Sequence, residues 1–134
     1  MNNRIYISGG MSGIPNYEKH FNNAENKLKI FGYTPFNPIK WNEPMIKFGL
    51  SYLEMMKIDL TYLSLCDSIY MLKGWEKSEG ACAELYFALY NGIKVEFEGE
   101  FKGEKYNIVE LSQKCVDNMN DKITINKMIE MGVL

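Results

Sequence analysis

Cysteine, histidine and proline are scarce in this 134-residue chain, and it has no long apolar run. The three cysteines, Cys66, Cys82 and Cys115, are an odd number without a C-x-x-C pair, which argues against metal or disulfide use. Each lies in or beside an apolar stretch, so buried free thiols are expected. With one histidine, His20, expected on the exposed face of a helix, no zinc or transition-metal site is predicted. No segment reaches membrane-spanning length, and the first residues, MNNRIYISGG, lack the apolar region and small-residue cleavage site of an export signal. Free thiols without such a signal predict a reduced, cytoplasmic compartment. Fifteen Lys and Arg face 17 Asp and Glu, a net charge of −2, with no run of one sign. That balance argues against a nucleic-acid polymer or a membrane surface as partner. Neither G-x-G-x-x-G nor a Walker A loop is present, so no nucleotide cofactor is called for.

What the chain does have is the composition of one globular domain, 46% hydrophobic and 24% charged. The reading is a single domain over 1–134, with a core at about 4–97 and an extension over 98–134. Arg4 to Ser8 is a short β-branched run that stops at Gly9-Gly10, the pattern of a buried first strand. From Tyr17 to Phe31, Phe21, Ala24, Leu28 and Phe31 recur at helical spacing, and Gly32 supplies a stop. Tyr33 to Asn37 reads as a second strand ended by Pro38, and KWNEPMIKFG reads as irregular because Pro44 opposes a long helix. Ser51 with Glu54 three residues on is a capping-box pattern, opening a helix with Tyr52, Met55, Met56, Leu60 and Leu63 as its apolar face. Ser68 to Leu72 is a third strand, Gly80 to Tyr90 a helix closed by Gly92, and Lys94 to Phe97 a fourth strand. Strands alternating with helices specify an α/β fold: one Rossmann-like, flavodoxin-like domain with a four- to five-stranded, mostly parallel sheet and helices on both faces. Beyond Phe97, EGEFKGEKYN is expected to form a hairpin or fifth strand, and about Asp121 to Met131 a final helix.

In such sheets ligands bind beyond the carboxyl ends of the strands. The loops leaving those ends are GGMSGIPN, FNPIKW and KGWEKSEG, where glycine and polar residues gather. The first lets backbone N–H groups approach an anion closely; it also fits a turn that needs glycine for geometry alone. In the third, Ser78, Gly80 and Glu84 surround a helix start, where backbone donors and the helix dipole favour negative charge. By itself Glu84 also fits a capping charge, and Asp59 and Asp67 fit solvated or cap residues.

Taken in order, IYISGGMSGIPNY, GYTPFNP and MKIDLTYLSLCDSIYMLKGWEKSEGACAEL resemble the nucleoside 2-deoxyribosyltransferase superfamily, and within it the short members common in phages and bacteria. The resemblance covers most of 4–97. It implies that Glu84, in Ser-x-Gly-x-x-x-Glu, is the nucleophilic carboxylate and that Tyr6 positions it. It implies that Asp59, in IDL, assists departure of the base, and that Asp67 is structural. Ser78 stands where nucleoside-specific members carry an acidic residue, which is similar to the branch acting on deoxynucleoside 5′-monophosphates. Ser8, Gly9, Gly10, Met11, Ser12 and Gly13 then complete a phosphate pocket with Ser78 and Gly80.

The chemistry so implied is cleavage of an N-glycosidic bond by a retaining route, the two carboxyl groups about 5–5.5 Å apart. Release of the sugar to water gives a hydrolase, and release to another base gives a deoxyribosyltransferase. The expected partner is a small nucleotide or nucleoside, and the resemblance implies a homodimer or higher homo-oligomer. A competing reading is a nucleotide-binding module that sequesters, or an enzyme that cleaves, an ADP-ribose-type signalling nucleotide. Trp75 reads either as a base-stacking ring or as a packed loop residue.

Overall fold

The computed structural model describes residues 3–99 and 107–134. Four parallel strands, β1 (Arg4–Ser8), β2 (Thr34–Phe36), β3 (Ser68–Met71) and β4 (Lys94–Phe97), form one sheet in the order β2-β1-β3-β4. Alternation along β1 and β3 splits the core in two. Ile5, Ile7, Tyr70 and Leu72 pack against Phe21, Ala24 and Leu28 of α1 (Tyr17–Ile30). Tyr6, Ile69 and Met71 face the opposite way, toward Met56, Leu60 and Leu63 of α3 (Tyr52–Ser64) and Leu85 and Ala88 of α4 (Glu79–Tyr90). Helices therefore cover both faces, as a parallel sheet of buried strands requires.

The capping box at Ser51 is formed: its hydroxyl accepts from the Glu54 N–H at 3.1 Å, and Glu54 accepts from the Ser51 N–H at 2.8 Å. Replacing Ser51 by Ala is expected to cost about 1 kcal/mol, read as a lower urea midpoint at unchanged slope. Helix α4 is apolar nearly all round, with Ala81, Cys82, Ala83, Leu85, Phe87 and Ala88 buried, because α5 (Ile108–Asn118) covers the side away from the sheet.

Three expectations need correction. KWNEPMIKFG is not irregular: Ile39–Lys47 is helix α2, with Pro44 inside it. The N–H that Pro44 lacks would have met the Lys40 carbonyl, and both residues are exposed, so solvent can supply the missing donor. Helix α5 was not foreseen. Its buried stripe, Leu111, Cys115 and Met119, has helical spacing, but Ile108 and Val109 are exposed and blur the period. Its clearest signal is Asn107, whose side chain caps the Val109 and Glu110 N–H groups at 3.0 and 3.2 Å. The last helix, α6 (Ile125–Glu130), is shorter than 121–131 and starts at a Thr124 cap. The expected hairpin or strand in EGEFKGEKYN falls largely outside the described residues.

Among the described residues no helix is long and apolar enough to cross a membrane. Two of the free cysteines, Cys82 and Cys115, are buried, and Cys66 is half-buried.

Candidate active site

Because β1 has β2 on one side and β3 on the other, the chain leaves it in opposite directions and a crevice opens above its carboxyl end. A cleft of about 640 Å³ lies there. The loop after β1 forms one wall through Gly9, Gly10, Met11, Ser12 and Gly13, and Ser78 and Gly80 form another at the start of α4. Asp59 of α3 and Glu84 of α4 complete it. At Gly9 the loop runs close against the core: a Cβ would stand 2.9 Å from the Leu72 side chain, so a larger residue would force that buried side chain to shift.

Glu84 is buried among apolar neighbours in the second turn of α4, and β1 supplies what it needs there. Tyr6 and Ser8, two apart on one face of the strand, both point at it. The Tyr6 hydroxyl donates to Oε2 at 2.5 Å and the Ser8 hydroxyl to Oε1 at 2.6 Å. Each such bond to a charged group contributes about 1.5–3 kcal/mol. Burial pushes the Glu84 carboxyl above its usual range, and the Ser8 and Tyr6 bonds draw it part of the way back. Tyr6 itself is driven well above its ordinary value by burial and then by the Glu84 charge, so it stays a protonated donor.

Asp59 has the opposite environment. It is buried, and its Oδ1 has no hydrogen-bond partner among the described residues. Burial, followed by the charge of Glu84, raises its carboxyl far above the usual range. Two acids that share one crevice are thus pushed apart in role. Glu84 accepts two O–H donors, which favours its ionised form, whereas Asp59 Oδ1 has no donor among the described residues and burial favours its neutral form.

Ser8 differs from its expected place among the phosphate contacts. It is wholly buried beneath the cleft, because the strand's alternation turns it toward Glu84 with Tyr6. Ser78 caps α4, accepting the Ala81 N–H at 3.1 Å, and its hydroxyl proton has no acceptor among the described residues. Asp67 accepts the Arg4 N–H at 3.0 Å, holding the start of β1. Trp75 is buried and packs on Phe97, away from the cleft lining. His20 is half-buried, with its ring against Glu98 at 2.7 Å.

Sequence reasoning missed part of the wall. Tyr52 and Met55, expected on the apolar face of α3, line the cleft, as do Lys77 and Lys122. Tyr52 was legible as the residue after a helix cap. Lys122 was not, since nothing local to 119–123 points toward Glu84. Among the described residues no three His, Cys, Asp or Glu side chains gather as a metal-binding group.

Neither the curated proteins nor the solved structures gave a match. One family profile matches residues 3–97, which hold all four strands and every residue lining the cleft apart from Lys122. The chain belongs to that family, described as a domain of unknown function (DUF4406).

Proposed function

We propose that the protein cleaves the N-glycosidic bond of a small nucleotide, a deoxynucleoside 5′-monophosphate by preference, with Glu84 as nucleophile. The observation that carries this reading is the pairing, in one cleft, of a buried Glu84 carboxyl that accepts two hydroxyl hydrogen bonds with a buried Asp59 whose Oδ1 has no partner among the described residues. A carboxylate has about four lone-pair positions, and Tyr6 and Ser8 occupy two, leaving electron pairs for attack.

In the first step a Glu84 oxygen bonds to the anomeric carbon while the carbon–nitrogen bond breaks. The bonding pair leaves with the base, and the Asp59 proton neutralises it. In the second step a water oxygen, or a nitrogen of another base, attacks the same carbon and Glu84 leaves with its electrons. Asp59, now ionised, takes the proton from the attacking group. Tyr6 and Ser8 hold the Glu84 oxygens throughout, so the attacking geometry is set before substrate arrives. The half-buried Ser78 hydroxyl, the unspent N–H groups at the start of α4 and the glycine loop would receive the phosphate. Cytoplasmic residence and assembly into a homodimer or higher homo-oligomer belong to the same proposal. Exposed apolar residues such as Phe48, at 83% exposure, are compatible with such assembly.

The test is incubation with ribo- and deoxyribonucleosides, their 5′-monophosphates and NAD-type nucleotides, with free base followed by chromatography. Base release preferring a deoxynucleoside monophosphate is the expected result. Release from NAD-type compounds alone would move the substrate to the ADP-ribose class. Tight binding without release from any compound would replace the enzymatic reading with sequestration.

A further inference from the structure

The segment between α5 and α6 reaches the cleft by a specific device. Glu79, at the start of α4, accepts three successive backbone N–H groups through Oε1: Asn120 at 2.9 Å, Asp121 at 2.8 Å and Lys122 at 3.0 Å. Burial alone would raise this carboxyl, but the backbone donors hold it below its usual range, so it stays an anion. Lys127 donates to the Asp121 carbonyl and closes the turn from the other side. The clamp keeps this turn out of α6 and sets the Lys122 side chain over the Tyr52 ring, with Nζ 5.9 Å from the ring centre. The Tyr52 hydroxyl in turn lies 3.0 Å from where a Cβ on Gly80 would stand, and that point is 3.9 Å from the Ser78 hydroxyl. A cation, a phenol, a first-turn backbone and a free hydroxyl proton are thereby brought to one side of the cleft.

Charge gives this arrangement its purpose. An anionic ligand entering the cleft meets the carboxyl groups of Glu84 and Glu79. The charge of Glu79 is largely engaged by its three backbone donors, whereas that of Glu84 is needed for attack. Lys77 and Lys122 line the same cleft, and neither makes an ion pair among the described residues. Of the two, Lys122 is held at both ends, by its N–H on Glu79 and its ammonium over Tyr52.

We infer that Lys122 selects phosphorylated over unphosphorylated ligands, and that Glu79 positions it from within the same chain. The inference rests on the glycosidase reading for its substrate class, and on the clamp alone for its geometry. In Lys122→Met the ratio of kcat/KM for a deoxynucleoside 5′-monophosphate to that for the free nucleoside is expected to fall about tenfold, the size of one exposed charge-assisted contact. Lys122→Arg should retain most of the ratio, and Glu79→Ala should reproduce the loss by releasing the turn. A structural role would depress both substrates alike and leave the ratio unmoved, and that outcome overturns the inference. Should the native chain release no base at all, calorimetric titration with the same monophosphates decides the matter separately. Binding weakened about tenfold by Lys122→Met would uphold this inference while the glycosidase reading fell. Equal binding by both chains, or none by the native one, would end it.

Discussion

Glu84→Ala is expected to abolish base release, a loss on the order of 10⁴-fold or more, because the proposed glycosyl intermediate forms on the Glu84 carboxylate itself. Glu84→Gln tests the charge apart from the shape: the amide keeps acceptor and size at one oxygen but lacks the nucleophilic electron pairs of a carboxylate. It should be nearly as inactive while still folding, since burying a neutral amide beside Tyr6 and Ser8 is less costly than burying an anion. Trapping the intermediate offers an independent readout. A slow substrate should add one sugar phosphate to the native chain by mass spectrometry and none to either variant. Full activity in Glu84→Ala would leave Tyr6, Ser8 and Glu84 as a structural hydrogen-bond cluster and nothing more.

Asp59→Asn carries the second large effect, and it acts on rate and stability in opposite directions. The rate should fall about 10²–10⁴-fold, the usual contribution of a positioned acid. The proposed mechanism requires Glu84 ionised and Asp59 protonated, so the profile it predicts is a bell whose two limbs belong to the pair. Both carboxyls are raised by burial, which shifts both limbs above the ordinary carboxylate range. The alkaline limb, which reports loss of the pair's last proton, should disappear in Asp59→Asn. For stability, the folded-state value of Asp59 lies above its unfolded one. Its contribution is then fully present below the unfolded value and is lost as pH rises through the folded value. Above that range the native protein buries a charge with an unpartnered oxygen, and Asn does not. The variant should therefore be more stable than the native chain at alkaline pH, by roughly 1–3 kcal/mol, and the advantage should shrink on acidification. Urea unfolding at several pH values measures this. A pH-independent difference would place the Asp59 proton elsewhere.

The fold was legible where one local rule dominated. Arg4 to Ser8 and Ser68 to Leu72 are short apolar runs bounded by turn residues, and their strands lie within a residue of those limits. The Ser51 capping box is a pattern of four residues and formed as written. Legibility failed where the environment decided. Pro44 sits inside a helix on an exposed stretch where solvent can reach the backbone, and α5 hides its buried stripe behind exposed Ile108 and Val109.

By itself the sequence determined the alternation of strands and helices, and with it the parallel sheet and the end at which a ligand can bind. Those follow from hydrophobic periodicity and from glycine and capping residues, which act over a few positions. Only the tertiary structure decided what Glu84 is. Its hydroxyl partners come from β1, about 80 residues away in the chain, with |i−j| of 78 and 76. Its acid neighbour comes from α3, and the lysine at the cleft wall comes from a turn held by Glu79. A carboxylate's ionisation depends on burial and on donors brought from afar, and neither quantity is written in the residues next to it.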